Sequence, residues 1–486
     1  MSKARRPMRI AVIGAGASGI MAVIKLRDAG FEDVTVFEKE GDLGGTWRDN
    51  RYPGLTCDVE SMAYRYSFAP NPDWSKVCSP GPEILSYFRS VATLYQVQQH
   101  ISFNSEVVRA DYDNGRWELE TTQGPQGKFD AVITATGVLH HPVLPDLPGL
   151  DSFAGAYFHS SRWPKTLDLT GKRVGVIGTG STAIQIVGAI VSTVGQLSLF
   201  QRTAQWVMPL ANPYYTEEQK AWFRANPEFL ESEYERLNED QGNKFAAAVV
   251  GANPKVYERI SQIALDNLNA SVRDPDLRAK LTPDHKVGCK RLIMSDAFYE
   301  AIQQPNACLV TSGIERVEAG GIRTVDGHGH ELDVLVMATG FNTHQFFRPM
   351  AVTGRNGVRM EDAWAERNEG YMSVTAAEFP NWFMIGGPNS PIGNFSWLRT
   401  AECQFGYALK LIEDLADSGI REIVPRPQAV QAYNQALRDK MPETIWASGC
   451  SSWYIDKFGN LAAYPFTYQK FQSDLAAPVM ADFERT

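Results

Sequence analysis

The apolar positions of this chain fall into two kinds of pattern. Short unbroken runs, such as "IAVI" at Ile10 to Ile13 and the run within "KRVGVIG", predict strands buried on both faces. One long stretch, residues 211–285, instead carries apolar residues at helical spacing among charged ones, with no strand-like run, and predicts helices. Its acidic part, "EFLESEYERLNED", reads most simply as a solvated helix face. The short runs also recur in order. "MRIAVIGAGASGIMAVIKLRDAGFEDVTVFEKE" predicts strand, glycine turn, helix and strand, and "KRVGVIGTGSTAIQIVGAIVSTVGQLSLFQRTAQW" predicts them again. "FDAVITATGV" (Phe129 to Val138) and "LDVLVMATGF" (Leu332 to Phe341) form a further matched pair of strands ending in small residues. Such ends suit places where the chain crosses between nucleotide-binding units and passes close to a cofactor.

The two repeats carry different chemistry. Gly14, Gly16 and Gly19 fill the GxGxxG positions, for the tight turn, the approach of backbone to a pyrophosphate, and close helix–strand packing. Glu38 ends the second strand, where a carboxylate can accept both ribose hydroxyls. In the second repeat Gly178 and Gly180 match Gly14 and Gly16, and Ala183 takes the third place. Glu38 lies 24 positions after Gly14, and Arg202 lies 24 after Gly178. A guanidinium there suits a 2′-phosphate through bidentate charge-assisted bonds, the alternative being a solvated strand-end residue. The first site is therefore read as FAD and the second as NADPH. The implied fold is α/β, with two Rossmann-like dinucleotide-binding domains. Residues 1–144 and 335–486 make an FAD domain in two parts, the second ending in an active-site loop. Residues 145–334 make an inserted NADPH domain with a helical insertion at about 211–285.

Composition narrows the class. A chain of 486 residues, 44% apolar and 21% charged, is expected to be soluble with two or three domains. Its net charge of −9 argues against nucleic acid or an anionic membrane as the main partner. No apolar run approaches the roughly 20 residues that span a bilayer. The start, "MSKARRPMRIAVIGAG", passes straight into a strand without a signal-peptide core, which favours a cytoplasmic location. The six cysteines are scattered, with no CxxC pair, and are expected to be reduced structural thiols. No metal site is expected.

Two motifs then point to a family. "FAGAYFHSSRWP" (Phe153 to Pro164) fits FxGxxxHxxxWP, and "GGTWRDNRYPGLTCD" (Gly44 to Asp58) fits GGxWxxxxYPGxxxD. Both resemble signatures of the type I Baeyer–Villiger monooxygenases, a resemblance that runs from Gly14 to "SSWYIDKFGN" at Ser451 to Asn460. Trp163 and Pro164 favour the ketone-oxidising branch over the related monooxygenases of amines and sulfides. The resemblance implies that His159 orders the link between the two domains, with Trp163 anchoring it, rather than acting as a general base.

It further implies an NADPH- and O2-dependent conversion of a ketone to an ester or lactone through a C4a-peroxyflavin. The segment "VGCKRLIMSDAFYEAI" resembles the one carrying the family's mobile active-site arginine, which maps to Arg291, with Lys290 beside it reaching towards the NADPH phosphate. Read alone, "CKRL" would be a surface pair. Asp58 is expected to orient Arg291, and a Pro53–Gly54 turn to aim Cys57 and Asp58 at the flavin. Gly45, Thr46, Trp47, Tyr64 and backbone at Val107 are expected to contact FAD. Ser181, Thr182, Gln185 and Thr203 are expected to place NADPH, and Trp453 to fold over its nicotinamide. Trp397, in "GGPNSPIGNFSW", is read as lining the substrate pocket, and each aromatic could equally be core. Three rivals are weighed. A sulfide or amine monooxygenase differs by its products, and a non-catalytic NADPH-binding redox sensor would take up no oxygen. A disulfide reductase would need a close cysteine pair that Cys57 and Cys78 do not supply.

Overall fold

A computed structural model describes residues 5–393 and 395–486. Two five-stranded parallel sheets dominate it, and they share one strand order. In the first the order is Trp382–Met384, Ala131–Thr134, Ile10–Ile13, Val34–Phe37 and Ile101–Ser102. In the second it is Ala156–His159, Val334–Met337, Arg173–Ile177, Gln196–Phe200 and Ala307–Val310. The matched runs of the sequence thus occupy matched places, and both "ATG" strands lie beside the fingerprint strand, so Val334–Met337 belongs to the second sheet and the boundary expected after residue 334 falls later. Ile10–Ile13 and Val334–Met337 are buried along their whole length, which is why they read as unbroken apolar runs.

The two copies differ in how the outer strand is supplied. The first sheet receives Trp382–Met384 after the chain has built the second sheet. The second sheet receives Ala156–His159 before its own fingerprint. The aromatic stretch from Phe153 to Pro164 is therefore not a plain connection. It forms an edge strand paired in parallel with Val334–Met337, then a short 3₁₀ turn at Ser160–Arg162. Trp163 is buried in the second sheet's core, edge-on to Phe158 at 5.1 Å.

Each unit also carries an antiparallel sheet at the same point in its order. Val107–Asp113, Arg116–Thr121 and Gly124–Phe129 precede the first "ATG" strand. Ile314–Glu318, Gly321–Thr324 and Gly329–Glu331 precede the second.

Residues 211–285 are helical, including Glu217–Ala225, Pro227–Gln241, Pro254–Ser271 and Pro275–Leu281. The acidic helix is more than a solvated face. Arg65, 1% exposed, donates to the Leu230 carbonyl at 3.1 Å and to Glu231 at 3.0 Å. Arg399 pairs with both oxygens of Glu235 at 2.8 Å. Both guanidiniums lie over the Tyr234 ring, at 4.3 and 5.2 Å from its centroid. Because Arg65 and Arg399 sit far apart in sequence from this helix, no local pattern could reveal the clamp.

The cysteines require a correction. Cys289 and Cys450 are joined in a disulfide, their Cα atoms 6.2 Å apart, while Cys57, Cys78, Cys308 and Cys403 are free. The partners stand 161 residues apart, so spacing along the chain could not pair them. No helix among the described residues is long and apolar enough to cross a membrane.

The clamp can be tested. Arg65→Met removes charged hydrogen bonds worth roughly 1.5–3 kcal/mol in total. Limited proteolysis should then cut faster within the Pro227–Gln241 helix. Unchanged cleavage would mean that other contacts hold it.

Candidate active site

A cleft of about 1260 Å³ is walled by residues of both parallel-sheet units. Gly14 and Gly16 face it at the start of the Ala17–Asp28 helix, and Gly178, Gly180, Ser181 and Thr182 at the start of the Ser181–Ile190 helix. Neither helix has a side-chain cap or an acid in its first turn, so each leaves N–H groups for an anion. Gly14 and Gly178 both take left-handed backbone, at φ +103° and +115°. A Cβ on Gly14 would lie 2.8 Å from the Ala135 carbonyl oxygen, and one on Gly178 would run into that of Ala338. A Cβ on Gly180, by contrast, would meet nothing within 4 Å, and one on Gly16 only the Gly45 Cα at 3.8 Å. Those open cradles fit a pyrophosphate at each helix start. Gly19 does not line the cleft; it packs on the Gly14 carbonyl.

Glu38 is buried at its strand end. Its carboxylate accepts from the backbone N–H of Ala15 at 2.8 Å and of Glu40 at 3.0 Å, and from Arg48 at 3.0 Å. Arg48, which the sequence reading passed over, also faces the cleft. Gly45 and Thr46 open the short Thr46–Asp49 helix against the first fingerprint. Trp47 donates its indole N–H to the Tyr64 hydroxyl at 3.1 Å, the rings 5.6 Å apart edge to face. Val107, at the start of its strand, completes this wall.

On the opposite wall lie Arg202, Thr203 and Lys290. Thr203 holds the loop through its carbonyl, which accepts from Thr179 at 2.7 Å. Partial burial, and then the nearby positive charge of Arg202, lower the Lys290 ammonium below its ordinary value. Two cations so placed favour a ligand anion.

Between these walls Arg291 donates to Asp58 at 2.6 Å and to the Gly393 carbonyl at 3.4 Å. Its side chain is 34% exposed and that of Asp58 20%. Asp58 holds the guanidinium more firmly protonated than usual, outweighing the cost of burial. Cys57, next along the chain, is free and buried, and burial with the Asp58 charge pushes its thiol well up. Such surroundings disfavour the thiolate, the form in which a cysteine reacts.

Gln185 has partners that the sequence did not suggest. Gln185 faces the cleft, but its amide N–H groups go to the Thr56 carbonyl at 3.1 Å and hydroxyl at 3.2 Å, and its oxygen accepts from Tyr52 at 3.0 Å. It ties the Ser181–Ile190 helix to the Gly44–Asp58 loop. Trp397 faces the cleft while its indole N–H is held by Ser18 at 3.1 Å. Trp453 faces it too, stacked on Tyr454 at 4.2 Å.

His159 and Trp163 are outside the cleft lining. The Ser161 N–H donates to His159 Nδ1 at 3.1 Å, so Nε2 carries the proton and donates to the Gly340 carbonyl at 3.0 Å. Burial lowers the His159 pKa and keeps the ring neutral. It pins the second "ATG" turn. His140 and His141 were not singled out in the sequence, yet both line the cleft. Burial, and then the neighbouring His141, push His140 down to about 4.

The chain is similar to known flavin-dependent monooxygenases along nearly its whole length. The flavin-binding monooxygenase-like family model matches residues 7–215. An uncharacterized monooxygenase of Mycobacterium tuberculosis is 45% identical over 467 residues, 96% of this chain and 94% of its own. A Baeyer-Villiger monooxygenase of Streptomyces coelicolor is 39% identical, covering 98% of this chain and 92% of its own. Among solved structures, cyclohexanone monooxygenase from Rhodococcus sp. Phi1 bound to NADP+ superposes with a TM-score of 0.88 at 32% identity, over 99% of each chain. A steroid monooxygenase bound to NADP also gives 0.88, at 29% identity over 98% of this chain and 99% of its own. The chain belongs to the class B flavoprotein monooxygenases and is of their Baeyer–Villiger type.

Thiol mapping tests the assignment of Cys57. Brief alkylation of the folded protein near neutral pH should label the exposed Cys308 and spare Cys57 and Cys78. Rapid labelling of Cys57 would show a reactive thiol beside the cleft.

Proposed function

We propose that the chain binds FAD and NADPH and uses O2 to convert a ketone into an ester or lactone. The observation that carries this is the Arg291–Asp58 pair, held in a cleft between two dinucleotide-binding units. The residues present suit both cofactors: open cradles at Gly16 and Gly180, an acid at one strand end and two cations at the other. Bound FAD, reduced by NADPH, would supply oxygen activation.

The chain's own residues supply the rest. Arginine does not lose its proton in such a setting, so Arg291 presents a fixed positive charge where negative charge develops on oxygen. Asp58 orients that charge through a 2.6 Å bond. Trp47, Tyr64, Trp397 and Trp453 give the cleft aromatic walls that displace water and strengthen the field of Arg291. Arg202 and Lys290 hold the 2′-phosphate and so select NADPH over NADH. Gly14, Gly16, Thr46 and Val107 bring backbone to FAD; Ser181, Thr182 and Thr203 bring it to NADPH.

The deciding experiment supplies NADPH and O2 with linear, cyclic, aromatic and steroidal ketones and, in parallel, sulfides, and identifies the products. Esters or lactones are expected. Sulfoxides alone would move the chain to the sulfide-oxidising reading, and no oxygen uptake would remove catalysis. Arg291→Ala should leave FAD reducible by NADPH but abolish ester formation, as rapid-mixing spectra and product analysis would show. Full ester formation by that variant would end the role given to Arg291.

Cofactor choice gives a second test. Arg202→Ala removes a contact worth roughly 1.5–3 kcal/mol, so KM for NADPH should rise about ten- to a hundredfold while KM for NADH barely moves. The contact is made equally in ground and transition states, so kcat at saturating NADPH should fall less. Lys290 must be protonated to hold a phosphate, and its pKa is lowered. KM for NADPH should therefore start to rise below the usual lysine range, with no such rise for NADH, and Lys290→Met should flatten the profile. Equal losses with both nucleotides would assign these cations to domain packing.

A further inference from the structure

The Cys289–Cys450 disulfide joins two segments that both line the cleft. Cys289 stands two residues before Arg291, and Cys450 three before Trp453. Lys290 and Arg291 on one side, and Ser451, Ser452 and Trp453 on the other, face the cleft directly. Cys289 is fully buried and accepts a hydrogen bond from the Ser448 hydroxyl at 3.3 Å, whereas Cys450 is half-buried. Gly449 and Gly459 bracket the segment that begins with Cys450. Both take left-handed backbone, at φ +90° and +85°, with open space around them, as hinges require. Trp453 and Tyr454 close on Gly393, whose carbonyl also accepts from Arg291. The Gly449–Gly459 segment is thus attached to the surroundings of Arg291 twice, once by packing and once covalently.

We propose that Cys289 and Cys450 form a reversible thiol–disulfide tether that locks the Gly449–Gly459 segment over the cleft. Where thiols are kept reduced, disulfides that do form usually serve redox sensing or catalysis. The oxidant is hydrogen peroxide. The more exposed Cys450 thiolate attacks one peroxide oxygen, the O–O bond breaks, and a sulfenic acid forms as hydroxide leaves. The Cys289 thiolate then attacks that sulfur, the S–S bond forms, and a second hydroxide leaves. The protons shed by the two thiols convert both hydroxides to water. Both sulfurs are oxidised, peroxide is reduced, and a small thiol reverses the change by exchange. With the bond formed, the hinge at Gly449 can no longer swing the segment away from Arg291. With it open, the segment is held by noncovalent contacts alone, among them those at Gly393 and the packing of Tyr454 on Trp446. The effect on nucleotide release rests on the reading of Trp453 as lying over NADPH.

The test compares the holoenzyme treated with hydrogen peroxide and with dithiothreitol. Peptide mass spectrometry without reduction should find a Cys289–Cys450 linked peptide in the first sample and not in the second. Hydrogen exchange across residues 449–459 should be slower in the first. Cys289→Ser and Cys450→Ser should show the faster exchange under both treatments. NADP+ should leave the oxidised wild type at least severalfold more slowly. Absence of the linked peptide, or equal exchange with the bond formed and broken, overturns the tether. Slowed exchange with unchanged NADP+ release supports the tether and overturns the placing of Trp453 over the nucleotide. The wild-type comparison alone decides the matter if a variant fails to fold.

Discussion

The contact between Arg291 and Asp58 spans 233 residues and can form only when both nucleotide-binding units are in place. Each partner is delivered by its own unit. Asp58 follows the Pro53–Gly54 turn, whose glycine lies so close to the Ser181–Ile190 helix that a Cβ there would sit 2.6 Å from the Gln185 carbonyl oxygen. Arg291 precedes the Ile293–Met294 strand, which pairs with Val207–Met208 just past the second unit's glycine repeat. A guanidinium that cannot shed its proton costs free energy wherever water is thinned, so a carboxylate must meet it there. That requirement fixes how closely the two units dock.

The seam itself is built from specific polar contacts. Tyr52, Gln185 and Thr56 form one chain of hydrogen bonds across it. His159 pins Gly340 within the second unit, at the turn where the chain leaves for the first. Each such bond contributes about 1 kcal/mol net, far less than a buried apolar interface of the same extent. A seam of this kind holds geometry while leaving small domain movements accessible.

Much of this was legible in the sequence, because it is local. The glycine turns, the unbroken strands and the opposed charges of Glu38 and Arg202 each occupy a few neighbouring residues, and duplication made them readable twice. What escaped depends on distant partners. The Phe153–Pro164 stretch looked like a connection because its strand is completed only by Val334–Met337. The acidic helix looked solvated because Arg65 and Arg399 come from elsewhere. The same is true of Cys289 and Cys450. The place of Gln185 on its helix suggests a nucleotide contact, but its amide is spent on the seam. Tyr52 lies within the Gly44–Asp58 motif, but the partner of its hydroxyl is far along the chain and no local pattern names it.

Lys290 and Arg291 show how finely the cleft divides its charge. These adjacent cations meet opposite surroundings. Arg291 has a resident carboxylate that strengthens its hold on its proton, while partial burial, and then Arg202, weaken the hold of Lys290, a loss that Asp284 only partly offsets. On the proposed reading the difference follows from what each must do. A cation that serves as a fixed charge throughout a reaction needs an internal counter-ion, or it would draw in water or a stray anion. A cation that must receive an external phosphate works best without one, since a resident acid would compete with the ligand. Because one peptide unit carries both, seating the nucleotide phosphate on Lys290 constrains where Arg291 can point. On the proposed reading, recognition at the far end of NADPH and charge placement at the reacting end are therefore linked through a single short segment.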